Sequence, residues 1–217
     1  MRADLHIHSN FSKDGTSSVD EIIKAAKAKG LGCIAIADHN SFASYEESSK
    51  YDDIIVIPAE EVSSAEGHIV AYGINCEIPR GKSVQETIDM IHDAGGIAVA
   101  AHPYRWWSGL GEKNVVNEFD VIETHNARST KGSNRKARKL AVRMNKPATA
   151  GSDAHNALNV GDAYTEFADS VTTWEDVIKA ILAGETKIGG RHRTGTDTLR
   201  YGFKSITEWM GRGFRKM

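Results

Sequence analysis

The sequence predicts an α/β fold, either a barrel or a doubly wound sheet, in which short buried strands alternate with amphipathic helices. Two patterns carry this reading. Apolar runs such as Cys33–Ala37 and Ile97–Ala101 are continuous, as strands covered on both faces require. Between the runs lie segments with helical periodicity and capping signals, so consecutive strands are expected to be parallel with crossover helices. A chain of 217 residues is enough for one such domain with a sizeable core.

The elements follow in order. Ala3–His8 reads as the first strand. Ser18 to Lys29 reads as a helix, because Ser18 and Glu21 form a capping-box pair and Ile22, Ile23, Ala25 and Ala26 make an apolar face; Gly30 ends it. Cys33–Ala37 and Ile54–Ile57 are short buried strands, ending at Asp38-His39 and at Pro58-Ala59-Glu60-Glu61. His68–Tyr72 is a further strand, and Ser83 caps a helix that presents Val84, Ile88 and Ile91. Ile97–Ala101 and Val121–Thr124 are strands leading into His102 and His125. Asn134–Met144 is a helix with Ala137, Leu140, Ala141 and Met144 inward. Ala148–Ala150 leads into Gly151-Ser152-Asp153-Ala154-His155, and a last helix starts near Thr173.

The formal net charge of −2 conceals an asymmetry. From Arg191 onward seven basic residues face two acidic ones, which leaves the preceding 190 residues at about −7. The Gly189-Gly190 step is the one candidate boundary, dividing a domain over 1–190 from a basic tail over 191–217. Leu199, Phe203, Ile206 and Met210 fall at helical spacing in that tail, which predicts a helix docked on the domain. No apolar run approaches the ~20 residues of a membrane span. No signal-peptide pattern is visible, and Cys33 and Cys76 lack a disulfide framework, so a reducing, cytoplasmic setting is expected.

The chemistry collects at strand ends. His6, His39, His102, His125 and His155 each lie at or just past the C-terminal end of an expected strand, the rim where parallel α/β folds build sites. His8 follows His6 at a spacing of two, which puts both imidazoles on one side of a strand. With Asp14, Glu61 and Asp153 these make nine candidate ligands, enough for two or three ions. Imidazole and carboxylate ligation without thiolate suits Zn, Mn or Fe.

The segments Asp4-Leu-His-Ile-His8-Ser, Ile36-Ala-Asp-His39, Ala59-Glu-Glu61-Val-Ser, Ala101-His102-Pro, Glu123-Thr-His125-Asn and Gly151-Ser-Asp153-Ala-His155 resemble, in order and spacing, the polymerase and histidinol phosphatase (PHP) family. The resemblance implies a distorted seven-stranded (βα)7 barrel, TIM-barrel-like, with up to three metals. It implies one site from His6, His8, Glu61 and Asp153, a second from Glu61, His102 and His125, and a third from Asp14, His39 and His155. Asp14 stands where some relatives have histidine. Glu60 precedes Glu61, but strand alternation points it away from the site.

The expected activity is metal-dependent hydrolysis of phosphate esters by a metal-bound hydroxide, with nucleotide-type or small phosphomonoesters as substrates. Glu61 and Asp153 would act in the centre, and His68 would serve beside it or as proton donor to the leaving group. Arg105 and Arg128, each three residues past a rim histidine, and His192 would contact substrate phosphate. Trp106 and Trp107 read as loop anchors or as a stacking surface. A phosphodiesterase trimming oligonucleotides is the alternative, which the cations between Arg128 and Arg143 favour. A non-catalytic metal-binding module is a third reading, against which all nine ligand positions carry competent residues. Amide or lactone hydrolysis is the least favoured, because no lysine follows a strand end where a carbamate ligand belongs.

Overall fold

A computed structural model of the chain describes residues 1–192 and 194. Its first half runs β1 (Arg2–Ile7), α1 (Val19–Ala28), β2 (Cys33–Ile36), α2 (Ala43–Ser48), β3 (Ile55–Val56), β4 (Ala59–Ser63), β5 (His68–Tyr72) and α3 (Val84–Asp93). The second half runs β6 (Ile97–Ala100), β7 (Val121–Asn126), α4 (Lys131–Met144), β8 (Ala148–Gly151), β9 (Ala163–Glu166), α5 (Trp174–Leu182) and β10 (Lys187–Gly190). The helix and docking expected over the tail lie outside the described residues. No helix among the described residues is long and apolar enough to cross a membrane.

The expected closed (βα)7 barrel is not what forms. The strands make two mixed sheets of five, ordered β10-β9-β1-β2-β3 and β4-β5-β6-β7-β8. The cause is connection length. Only residues 64–67 separate β4 from β5, whereas a parallel pair needs a crossover of a dozen residues or more. The two strands therefore pair antiparallel, from Ala59↔Tyr72 to Ser63↔His68. β5 also runs antiparallel to β6, and β9 runs antiparallel to both β1 and β10. Parallel pairing survives in β1-β2-β3 and β6-β7-β8. The sheets touch through two isolated bridges, Ile7↔Ala154 and His39↔Glu61.

Strands with continuous apolar sequence are buried on both faces, as expected. Leu5, Ala35, Val70, Tyr72, Val99 and Val121 share a core between the sheets, and Val177 and Ile181 of α5 pack into it. Across it the Tyr72 hydroxyl donates to the Leu5 carbonyl at 2.6 Å. Their alternates face the helices: Ile34 and Ile36 meet Ile22 and Ile23 of α1, and Ala98 and Ile122 meet Ile88 of α3 and Leu140 of α4. Each fully buried isoleucine contributes roughly 1.5–3 kcal/mol. The capping boxes at Ser18 and Ser83 form, and Thr173 with Asp176 makes a third. α4 begins three residues before its expected start, because the Thr130 side chain accepts from the Ser133 amide.

Candidate metal centre

Both bridges between the sheets are flanked by candidate ligands, so one event closes the fold and gathers the site. Ile7 lies between His6 and His8, and its bridge partner Ala154 lies between Asp153 and His155. The Asp153 amide donates to the His6 carbonyl at 2.6 Å, and the His8 amide donates to the Ala154 carbonyl at 2.8 Å. The other bridge joins His39 directly to Glu61. Gly151 is required at this seam, since a Cβ there would sit 2.6 Å from the His6 amide nitrogen. His102 and Asp153 adopt positive φ, 28° and 54°. For non-glycine residues such backbone costs about 1–3 kcal/mol each and clusters where function demands it.

Glu61 is the hub. Its Oε2 lies 3.4 Å from His6 Nε2, 3.3 Å from His8 Nε2 and 3.1 Å from His39 Nδ1. Its Oε1 lies 3.0 Å from His68 Nδ1 and 2.8 Å from His102 Nε2. Asp153 lies on the other side, with Oδ1 3.5 Å from His8 Nε2 and Oδ2 3.9 Å from His102 Nε2. Asp14 Oδ2 reaches His155 Nε2 at 2.9 Å and His39 Nε2 at 3.9 Å. Glu61 and Asp153 are sealed from solvent, while Asp14, His39 and His68 are partly exposed and mark the open side.

Burial opposes ionising Glu61, but the imidazoles of His68, His6 and His39 outweigh it and hold the carboxylate well below its usual range. Asp153 is held low likewise, burial being overcome by Arg105, Arg128 and His6. Burial, with the neighbouring Arg105 guanidinium, lowers His102 to about 4, so its ring is neutral and able to donate a lone pair near neutral pH. His8 is lowered by burial and by His155 and His39.

The donor set fits divalent ions. His6 Nε2, His8 Nε2 and His39 Nδ1 are buried without a hydrogen-bond partner. Four groups of ligand atoms lie within 4.8 Å of one another: His8, His39 and His155; His6, His8 and Glu61; His6, His102 and Asp153; and His39, Glu61 and His68. Cations at those points would satisfy nitrogens that otherwise carry the full desolvation penalty.

Eight of the nine expected ligands meet here, and His125 does not. Its Nε2 lies 2.9 Å from the Arg191 carbonyl, and its ring stacks on His192 at 4.5 Å between centroids. A β-bulge explains the departure. In β7 the register against β8 slips between Glu123 and His125, so the two side chains no longer share a direction. His192, expected at substrate, stays with His125 and Asn134. Arg105 and Arg128 do enter the site, both donating to Asp153, and Arg105 also to Asn126 Oδ1. Trp106 is 94% exposed and Trp107 64% exposed, so neither anchors its loop in the core.

Sequence reasoning missed Glu123. Buried in β7, it takes His6 Nδ1–H at 2.9 Å on Oε1 and the His102 amide at 2.7 Å on Oε2. That bond fixes the His6 tautomer and turns Nε2 toward Glu61. E123Q is expected to weaken metal affinity roughly 10–100-fold with the fold intact. Chelator competition measures it, and unchanged affinity would remove Glu123 from this role.

Comparison with known proteins agrees with the geometry. The PHP domain model matches residues 4–95, and the PHP-associated model matches residues 131–186. The uncharacterized protein MJ1587 of Methanocaldococcus jannaschii is 37% identical over 141 residues, which cover 58% of this chain and 82% of that protein. A two-domain protein of Bacteroides vulgatus, containing a predicted PHP-like metal-dependent phosphoesterase, superposes with a TM-score of 0.75 at 17% identity. That match covers 88% of this chain and 65% of the Bacteroides chain. The lesion-specific endonuclease PfuEndoQ of Pyrococcus furiosus superposes with a TM-score of 0.66 at 20% identity, over 87% of this chain and 58% of its own. With the matched segments carrying His6, His8, Asp14, His39, Glu61, Asp153 and His155, this chain belongs to the PHP family.

Proposed function

We propose that this chain is a metal-dependent phosphoesterase that hydrolyses phosphate monoesters, nucleotides or small phosphorylated molecules, with two or three Zn, Mn or Fe ions. The observation that carries the reading is Glu61, one buried carboxylate ringed by five imidazoles. On this reading His6, His8, Glu61 and Asp153 hold one ion, and Glu61, His68 and His102 a second. Asp14, His39 and His155 hold a third. His68 takes the place that the family resemblance gives to His125. When bound, such ions lower the pKa of a shared water and neutralise charge on the phosphoryl oxygens.

The protein supplies the rest. Arg105 and Arg128 bring two guanidiniums to the edge of the centre, and a monoester dianion carries one charge more than a diester for them to meet. Both are held by Asp153, so their forks are oriented before substrate arrives.

The test is turnover by the full chain loaded with Mn, Zn or Fe(II). p-Nitrophenyl phosphate and nucleoside monophosphates are expected to release phosphate, and bis-p-nitrophenyl phosphate to react at least about tenfold more slowly. Chelation should abolish the reaction and metal restore it. Bound metal with no turnover on any of these esters would leave the chain a non-catalytic metal-binding module.

A further inference from the structure

We infer that Asn126 is a positioning residue of the phosphate site: its side-chain amide holds the Arg105 guanidinium in the orientation that meets a substrate phosphate. This rests on the hydrolase reading and adds to it a residue that sets substrate affinity through Arg105.

Asn126 ends β7 and is fully buried. Its backbone is fixed from α4: the Asn126 amide donates to Asn134 Oδ1 at 3.3 Å, and Asn134 Nδ2 donates back to the Asn126 carbonyl at 3.0 Å. The side chain then stands between two kinds of partner. On one side Oδ1 accepts from Arg105 Nη2 at 2.6 Å and from the Arg128 amide at 3.0 Å. On the other, Nδ2 donates to Glu123 Oε2 at 3.1 Å and to Asp153 Oδ2 at 3.0 Å. Donors lie on the first side and carboxylates on the second, so the sense of the amide is fixed. An aspartate could not donate to the carboxylates, and an apolar side chain could do neither.

Arg105 Nη2 also bonds Asp153 Oδ2, so Arg105, Asn126 and Asp153 close a ring. The two acceptors of the guanidinium are not equivalent. Asp153 is a proposed ligand, and a cation bound to it would share the same carboxylate charge and repel Arg105. The Asn126 oxygen is neutral and already committed to Arg105, so its hold does not compete with a cation. Arg105 is 8% exposed, and its Nε is buried with no hydrogen-bond partner among the described residues. A guanidinium anchored at Nη2 with Nε unpaired keeps a donor for an incoming phosphoryl oxygen. Without Asn126 the same group would pivot on the charge pair alone.

The experiment is calorimetric titration of inorganic phosphate into the Zn-loaded full chain, beside KM and kcat for p-nitrophenyl phosphate. N126A is expected to raise the phosphate Kd and the KM together by about tenfold, with kcat within about threefold of wild type. R105A should also weaken phosphate binding by at least about tenfold. Adding N126A to R105A should then change Kd by less than about twofold, because the guanidinium through which Asn126 acts is gone. A merely structural role would lower thermal stability and leave Kd and KM unchanged, or give N126A its full effect in the R105A background. Either result would overturn the inference. A measurement on unsubstituted protein serves where N126A does not fold. With isotope-labelled arginine, nuclear magnetic resonance should resolve separate Arg105 Nη signals, as a held guanidinium gives, and an Nε–H signal that shifts on adding phosphate. A single averaged Nη signal and an unmoved Nε–H would count equally against Asn126. Phosphate binding with this coupling but no p-nitrophenyl phosphate hydrolysis would instead sink the hydrolase reading, so the two failures are distinguishable.

Discussion

E61Q is expected to lower kcat/KM for p-nitrophenyl phosphate by a thousandfold to ten-thousandfold, about 4–5.5 kcal/mol of transition-state stabilisation. The substitution keeps side-chain volume and removes one negative charge. No other side chain in the centre touches so many candidate ligands: three imidazoles meet one oxygen and two meet the other, all within 3.4 Å. A neutral amide cannot balance the charge of a bound cation, and its NH2 group would face imidazole nitrogens that must themselves donate lone pairs. Bound metal measured by mass spectrometry should therefore fall together with activity, while the far-ultraviolet circular dichroism is retained. E61Q protein with full metal content and near wild-type turnover would show that Glu61 is packing rather than a bridge.

Much of this centre is legible in the sequence, for a reason that concerns strand geometry. His6 and His8 are two apart on a strand, and Asp153 and His155 are two apart across the seam from them, so alternation alone aims each pair to one side. Strand ends also gather such side chains where strands are parallel, and His39 and His102 lie beside them. The rule breaks where its premise does. β5 runs antiparallel to β4 and β6, so its beginning, not its end, lies at the rim where Glu61 and His102 sit. His68 opens β5 and is therefore a rim residue that an all-parallel reading undervalues. The converse case is His125, at a strand end yet placed against the Arg191 carbonyl, next to a register shift that leaves no mark in composition or spacing. Glu123 was invisible for another reason: a carboxylate inside an apolar strand gains meaning only once its partner His6, 117 residues away in the chain, is beside it.

The proposed exchange of His68 for His125 gives the second large effect. H68A is expected to lose about a hundredfold to a thousandfold in kcat/KM and about one equivalent of bound metal, since a ligand that touches Glu61 Oε1 alongside His102 would be gone. H125A should keep its metal and stay within about threefold of wild-type turnover. Its cost should fall on stability, about 1–2 kcal/mol, because the buried ring forfeits its bond to the Arg191 carbonyl and its stack on His192. Metal stoichiometry, turnover and thermal unfolding on the two proteins give a crossed pattern: one loses chemistry and the other loses stability. Were H125A to shed metal while H68A kept it, loading would have to pull β7 back into register, and the bulge between Glu123 and His125 would be a property of the metal-free chain alone.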